Sequence, residues 1–370
     1  MPRSSFFAAR SRTAVATKTF TVLVFAFLFA AGTALGAHHR VRPSGFHATT
    51  DTQATTDTQA TTTPQATPPT VTTTTPQAAA PVVNVPVPSS GAYWGEFVDE
   101  SIASVGQRAS QVGRSFGIAH FYNDWYKTWG GARSDEKQLA DSGTIVFDHI
   151  TPRRYGTSEI VRWAQVANGS QDSRIDQMAG YAKSLGHPMF IGFHVEPETD
   201  IGVYGTAAEY VAAYRHLVQR FTAQGATNVS WVWQTEGYSS HYAQYAALYP
   251  GDDVIDWIAW DPYNWYTCHS NSWQSFAQVV QPFYSWLQAN GHANKPFMLG
   301  EYGSPEAGDG GTAKRQWFLD ALKVMKAGQF PNLKALVYFD SSRDCSWRID
   351  TSPTALDGFA QMGADNFFHP

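Results

Sequence analysis

The feature of this chain that most restricts its fold is a regular alternation of short apolar segments with stretches of helical period. The apolar segments, which we interpret as strands, span 92–94, 116–122, 144–148, 189–194, 229–234, 255–260, 297–301 and 335–339. Helices are predicted over 207–223, 273–290 and 312–327, where apolar residues recur at three- and four-residue spacing. Eight strands alternating with helices over about 250 residues predict an α/β fold, the (β/α)8 TIM barrel. A doubly wound open sheet is the alternative, but no glycine-rich phosphate loop follows the first strand.

The N-terminal region has the pattern of an export signal. Basic residues precede an apolar run over 20–29, and small residues continue it to Ala37. We therefore predict a signal peptide or a membrane anchor over 1–37. The stretch 20–37 is close to the length that crosses a bilayer as a helix, so an uncleaved anchor stays open beside cleavage. Either outcome predicts a secreted or extracellular protein, or one anchored through 20–37.

A Thr/Pro/Gln-rich segment separates this leader from the rest of the chain. It carries a near-exact repeat, TTDTQA, and almost no aliphatic or aromatic side chains. Such a composition cannot bury enough apolar surface to offset its ordering entropy, so we predict a disordered linker over 38–90. The folded (β/α)8 domain is then expected over 91–370.

Charge and cysteine content narrow the classes of partner. The net charge is -5 and only 15% of residues are charged. Without a basic block in the folded part, no nucleic-acid partner is expected. The two cysteines, Cys268 and Cys345, predict one disulfide in an exported protein, with two separate buried thiols as the alternative. No ligand-spaced histidine cluster occurs, so we predict no metal and no cofactor, and we expect a monomer.

Two glutamates at strand ends carry the functional prediction. Glu196 follows the fourth apolar segment, and Glu301 ends the seventh. A TIM barrel places its working residues at the C-terminal ends of its strands, and strands four and seven face each other across the mouth. Hydrolysis of a glycosidic bond needs one protonated carboxyl and one ionised carboxylate. Each glutamate alone is equally well explained as a solvated loop residue or an ion-pair partner; Glu236 and Asp261 are competing carboxylates.

The chain resembles glycoside hydrolase family 26, a family of clan A barrels best known for β-mannanases. The resemblance rests on GAYWGE, FHVEPE, IAWDPYNWY and LGEYG, and covers the chain from about Gly91 onward. It implies that Glu196 is the acid/base, that Glu301 is the nucleophile, and that Tyr263 lies near Glu301. Val195 replaces the histidine that the family usually places before the acid/base. Glu198 is an alternative acid/base.

Aromatic residues and histidines near the strand ends are candidates for sugar binding. Aromatic side chains make up 14% of the chain, and 13 residues are Trp. Flat aromatic surfaces suit the apolar faces of sugar rings, although each of these residues is as readily a core residue. The candidates are Trp94, His120, Tyr122, Trp125, Trp129, His149, His194, Trp233, Tyr263, Trp265 and Trp347.

These observations favour a retaining, endo-acting β-glycanase that cleaves β-mannan or a related β-linked polysaccharide. Its partner would be a polysaccharide or oligosaccharide substrate. A non-catalytic carbohydrate-binding barrel tethered at the cell surface is the alternative, in which the carboxylates only accept hydrogen bonds. A metal-dependent hydrolase is a third class, and it would require a set of His and Asp ligands.

Overall fold

The barrel is confirmed by the computed structural model, which describes residues 84–99, 103–129, 134–269, 271–343 and 345–369. Eight parallel strands form one closed barrel in sequence order. They are β1 (Tyr93–Val98), β2 (Ile118–Asp124), β3 (Ile145–Thr151), β4 (Met189–Phe193), β5 (Val229–Thr235), β6 (Trp257–Trp260), β7 (Phe297–Leu299) and β8 (Leu333–Asp340). Each strand overlaps the apolar segment from which it was predicted. β1 pairs with β8, which closes the barrel.

Helices follow the strands and cover the outside of the barrel. They are α1 (Val105–Val112), α2 (Ser134–Asp141), α3 (Trp163–Ala167), α4 (Asp172–Leu185), α5 (Ala207–Ala223), α6 (Tyr242–Leu248), α7 (Phe276–Ala289), α8 (Thr312–Lys326) and α9 (Pro353–Ala364). The helix α5 begins with a capping box, in which Thr206 accepts from the N–H of Glu209 and the Glu209 carboxylate accepts from Thr206. Ser275 and Gln278 begin α7 in the same way.

Side-chain alternation along the strands separates the barrel interior from its outer face. Phe147, Phe190, Val232, Trp257 and Met298 belong to one buried cluster, which fills the interior. Their immediate strand neighbours belong instead to the larger cluster packed beneath the helices. Because successive strand residues point to opposite faces, each strand contributes to both clusters.

Ordered packing begins before the predicted domain start at Gly91. Val85, which falls in the predicted linker, is buried among the interior residues of the barrel. Its backbone N–H donates to the Ser230 hydroxyl at 2.9 Å. A predicted linker residue is therefore part of the folded core. The predicted leader over 1–37 and the linker up to residue 83 lie outside the described residues.

Two further features of the described residues bear on the predictions. Cys268 and Cys345 form a disulfide, with their Cα atoms 5.7 Å apart. The bridge joins the loop after β6 to the loop after β8. Within the described part of the chain, no helix combines the length and the hydrophobicity needed to span a bilayer.

Candidate active site

Glu196 and Glu301 both lie at the mouth of the barrel, where the C-terminal strand ends meet. The β4 strand ends at Phe193, and the chain then adopts left-handed backbone conformations at His194 and Glu196, with φ of 54° and 52°. Glu301 follows β7 by two residues. The two carboxyl groups are near enough that the charge of Glu301 raises the pKa of Glu196. The mouth thus brings the two predicted catalytic glutamates together.

The Glu301 carboxylate is held by two tyrosine hydroxyls. Tyr122 donates to its Oε1, and Tyr263 donates to its Oε2. Hydrogen bonds donated to a carboxylate stabilise its ionised form. Tyr263 was expected near Glu301 from the family resemblance, whereas Tyr122 was predicted only as a sugar-binding residue. Desolvation, followed by the negative charge of Glu301, raises the pKa values of both tyrosines well above the usual value.

Asp261 is a third carboxyl group in the same site, and it interacts electrostatically with both glutamates. Its Oδ1 accepts the backbone N–H of Glu301 at 2.9 Å, and the Gln234 side chain donates to both of its oxygens. Burial, followed by the charges of Glu301 and Glu196, raises its pKa well above the usual value. Asp261 was considered from sequence only as a rival to the catalytic pair. Its position just after β6 was the signal that could have identified it as their neighbour.

Glu196 has the electrostatic properties of a general acid. Burial raises its pKa well above that of an ordinary glutamate, and the charges of Glu301 and Glu236 raise it further. A carboxyl group of this kind keeps its proton at a pH where a solvated glutamate has lost it. Glu301, by contrast, accepts hydrogen bonds from two hydroxyls. The two carboxyls therefore lie in different environments: the pKa of Glu196 is raised, whereas Glu301 accepts two hydroxyl donors.

Two glycines make room for polar side chains beneath the mouth. A Cβ at Gly192 would collide with the His149 ring, and a Cβ at Gly300 would collide with the Gln234 side-chain amide. His149 is buried in the barrel interior, where its Nδ1 lies 2.9 Å from His120 Nε2. Burial lowers the pKa of His149 to about 3, so the ring is neutral. Only 1% of each histidine is exposed, and their contact with sugar stays a prediction.

Four of the predicted sugar-binding tryptophans do not face the cleft. Trp94 and Trp233 are fully buried on outward-facing strand positions, where Trp94 packs on Phe359 and Trp233 on Tyr249. Side-chain alternation explains the error, because residues one step away on each strand face the interior. Trp125 is also fully buried, with its Nε1 donating to Gln171, and Trp129 packs edge-on against Tyr181. These four side chains stabilise the core.

His194 was predicted to bind substrate, and the structure commits both of its ring nitrogens elsewhere. Trp163 donates from its Nε1 to His194 Nδ1 at 2.8 Å, and His194 Nε2 lies 2.8 Å from Asp200. The ring is buried and packs edge-on against Tyr204. With both nitrogens occupied, His194 has no free group for a sugar hydroxyl. It instead anchors the backbone that leads to Glu196.

The remaining aromatic candidates form a wall beside Tyr263. Trp347 is buried with its ring centroid 4.5 Å from that of Tyr263, and it packs at right angles to Trp265. Trp265 is partly exposed and donates from its Nε1 to the Tyr238 hydroxyl at 2.6 Å. Trp347 thus supports the wall from behind, and Trp265 is the member with surface left for a ligand. The disulfide partner Cys345 belongs to the same cluster.

Glu198, the alternative acid/base, is buried away from the position of Glu196. Only 3% of the residue is exposed, and its Oε1 accepts the backbone N–H of Glu236 at 2.6 Å. Glu236 is partly exposed, and its carboxylate lies 3.3 Å from His241 Nε2. The geometry therefore favours Glu196 over Glu198 as the group that faces Glu301.

A cleft of about 720 Å³ leads away from Glu301. Tyr122, Val195, Glu301, Arg153 and Tyr155 are among the residues that line it. The volume lies in the range of pockets that enclose small ligands, about 300–1,000 Å³. The Glu301 carboxylate consequently opens onto a groove of ligand-binding size.

Sequence comparisons relate this chain to polysaccharide hydrolases. No protein-family model matches it. Endoglucanase H of Acetivibrio thermocellus is 31% identical over 260 residues, which is 67% of this chain and 27% of that protein. The β-1,3-xylanase TXYA of a Vibrio species is 26% identical over 204 residues, 50% of this chain and 42% of the relative. The chain thus spans between about a quarter and two fifths of the length of these curated relatives.

Comparison with solved structures gives the same barrel. GH26C of a Muricauda species superposes with a TM-score of 0.57 at 14% identity, over 75% of this chain and 86% of that one. The GH26 β-mannanase BoMan26A of Bacteroides ovatus superposes with a TM-score of 0.54 at 17% identity, over 75% and 89%. At this level of identity the likeness shows the fold. It confirms the (β/α)8 barrel that the strand pattern predicted, in the form that these two family 26 proteins have.

Proposed function

We propose that this chain, which has the barrel of glycoside hydrolase family 26, is a retaining endo-acting β-glycanase. Glu301 is the nucleophile and Glu196 the acid/base. The observation that carries the proposal is the contrast between the two glutamates. Glu301 accepts two tyrosine hydroxyls, whereas the pKa of Glu196 is raised by burial and by the charge of Glu301. Double displacement requires this contrast, because one carboxylate acts as the nucleophile and the other carboxyl group acts as the acid/base.

In the first step Glu301 attacks the anomeric carbon while Glu196 gives its proton to the leaving glycosidic oxygen. A covalent glycosyl-enzyme forms, and the negative charge that had raised the pKa of Glu196 is removed. The pKa of Glu196 then falls, which suits its second role as a base that takes a proton from water. That water attacks the anomeric carbon, releases the sugar and restores both glutamates. The configuration of the sugar is retained.

The glycan is proposed from the relatives and the departures in sequence. Two of the curated relatives are named an endoglucanase and a β-1,3-xylanase, and several structural neighbours are β-mannanases. Val195 stands where mannanases of the family usually have histidine. We therefore propose a β-linked glucan, xylan or mannan as substrate, cut internally along the cleft beside Tyr122 and Tyr155.

One experiment tests both the activity and the substrate. The purified protein is incubated with β-mannan, mixed-linkage β-glucan, cellulose, β-1,3-xylan and β-1,4-xylan, and products are analysed by mass spectrometry and anomeric NMR. We expect oligosaccharides from one glycan, with the β-anomer formed first. Initial α-anomer would indicate inversion and exclude Glu301 as nucleophile. If wild type and Glu301→Ala are equally inert while glycan binding persists, the non-catalytic binding barrel is correct.

We also propose that the protein acts outside the cell as a monomer, tethered to the membrane or wall or free after cleavage of 1–37. Fractionation of the host, followed by N-terminal sequencing of the extracellular protein, tests this. A first residue near 38 supports cleavage, and an intact N-terminus in the membrane fraction supports an anchor. Light scattering of the purified protein tests the monomer.

A further inference from the structure

The loop that carries Glu196 is joined to the end of β5 by two hydrogen bonds, one made by Glu196 itself and one made two residues after it. The last β4–β5 pair in register is Gly192 with Val232. Beyond it, the N–H of Glu196 donates to the carbonyl of Gln234 at 3.2 Å. The N–H of Glu236 then donates to the side chain of Glu198 at 2.6 Å. A carboxyl oxygen thus takes the place that a backbone carbonyl would occupy if the parallel ladder continued.

Glu198 is suited to this place by burial and by the local chain. Pro197 and Glu198 begin a short 3-10 helix, and both side chains are buried. Burial raises the pKa of Glu198 to about 8. The group is therefore largely uncharged at neutral pH, and its role here is that of a hydrogen-bond acceptor. A glutamine would supply the same acceptor at nearly the same size.

The backbone at Glu196 needs such support. Its φ of 52° and the φ of 54° at His194 are left-handed, a conformation that disfavours residues with a Cβ. Such conformations persist only where the surrounding structure over-determines them. His194 is held by Trp163 and Asp200 on one side of Glu196. On the other side, the bond from Glu236 to Glu198 holds the loop.

We propose that Glu198 is a positioning residue, which keeps the acid/base Glu196 aimed at the leaving-group oxygen by accepting the backbone N–H of Glu236. The inference rests on the proposed function, because it assumes that Glu196 donates the catalytic proton. Glu198 does not touch the substrate. Its loss lets the loop relax and moves Glu196 out of line, while Glu301 keeps its tyrosines.

The test uses the dependence of the rate on the leaving group. Glu198→Ala and Glu198→Asp both lose the bond, since aspartate is one methylene too short; Glu198→Gln keeps it. Each variant is assayed on an oligosaccharide of the glycan identified above and on the matching 2,4-dinitrophenyl glycoside. The dinitrophenolate of the second substrate leaves without being protonated. We expect Glu198→Ala to lower kcat/KM on the oligosaccharide about 100-fold, within the usual range of general-acid contributions. On the dinitrophenyl glycoside the loss should stay below about threefold, and Glu198→Gln should keep most activity on both.

A matched control removes the same kind of bond from the other end of β5. The Asp256 carboxylate accepts the N–H of Trp231 at 2.8 Å, far from the mouth. Asp256→Ala should lower the melting temperature without creating any dependence on the leaving group. Azide gives a second readout, because it attacks the glycosyl-enzyme without a general base. Azide should raise the kcat of Glu198→Ala on the dinitrophenyl glycoside. It should leave the kcat of Asp256→Ala unchanged.

The outcomes separate this inference from the proposed function. Suppose that the kcat/KM of Glu196→Ala depends strongly on the leaving group. If Glu198→Ala and Glu198→Asp then lose kcat/KM equally on both substrates, or lose it on neither, the positioning role is wrong. The same conclusion holds if Glu198→Gln is as impaired as Glu198→Ala. If Glu196→Ala shows no leaving-group dependence, the acid/base assignment itself fails, and the positioning role fails with it.

Discussion

The backbone N–H of Glu301 donates to Oδ1 of Asp261 at 2.9 Å, so one buried carboxyl group fixes the main chain of the proposed nucleophile. The same carboxyl group accepts a hydrogen bond from Gln234. It also lies close enough to Glu196 for the charge of Glu196 to raise the pKa of Asp261. Asp261 therefore contacts the main chain of Glu301 and interacts electrostatically with both glutamates. This arrangement explains why a third carboxyl is kept in a site where its charged form is disfavoured by burial.

Asp261→Ala should lower kcat by about 100-fold, the scale expected when a reacting group is displaced by about 1 Å. Asp261→Asn should lose less, because an amide oxygen still accepts the Glu301 N–H. Asp148→Ala is the control, since Asp148 is a buried carboxyl in the wall of β3 that pairs with Asn123. Steady-state kinetics and thermal unfolding should show a stability loss in the control with kcat preserved. Equal kcat losses in Asp261→Ala and Asp148→Ala would contradict the role of Asp261.

Removing one of the two tyrosine hydroxyls that donate to Glu301 should slow the chemical step and leave substrate binding unchanged. A hydrogen bond to a charged group contributes about 1.5–3 kcal/mol, so Tyr122→Phe and Tyr263→Phe should each lower kcat about 10- to 100-fold. The matched control is Tyr181→Phe, because Tyr181 donates to the buried Glu136 carboxylate outside the mouth. Tyr181→Phe should lower stability only. If kcat is unchanged in both mouth variants, Glu301 does not depend on these donors.

The fold could be predicted because eight strands and several helices carry strong local patterns. The 207–223 helix matched its residue bounds, and each strand was located to within a few residues. Which side chains of each strand point into the barrel and which point outward was harder to predict. Trp94 and Trp233 were predicted to bind sugar because they lie near strand ends, but alternation directs both outward beneath the helices. Counting from Val232 and Gln234, which face the interior, would have placed Trp233 on the outside.

The site was only partly predictable, because its contacts join distant parts of the chain. Strand position located Glu196 and Glu301, yet no local pattern shows that Tyr122 reaches Glu301 across 179 residues. The orientation of His194 was likewise hidden, since it depends on Trp163 and on a left-handed backbone that a non-glycine residue rarely adopts. Such features follow from packing rather than from propensity.

The disulfide should stabilise the aromatic wall more than the barrel. Cys268 and Cys345 are 77 positions apart, and closing a loop of this length contributes about 4–5 kcal/mol in the chain-entropy model. In the Cys268→Ser/Cys345→Ser double variant, the melting temperature should fall and KM should rise, because Trp265 and Trp347 lose the link between their loops. Far-UV circular dichroism should stay native. If KM is the same in the double variant, and in wild type with and without reductant, the disulfide does not contribute to substrate binding.

The pH profile should report the charge of Glu236. Burial raises the pKa of Glu196 first, and the charges of Glu301 and then Glu236 raise it further. The acid must be protonated to act, so activity falls as the pH rises through the pKa of Glu196. Glu236→Gln removes one negative neighbour, which lowers that pKa and moves the basic limb of kcat/KM to lower pH. Glu159→Gln is the control, because Glu159 is an exposed partner of Arg154 on the β3 loop. A basic limb that stays in place in Glu236→Gln, or moves to higher pH, would show that the proton on Glu196 is not governed by this neighbour.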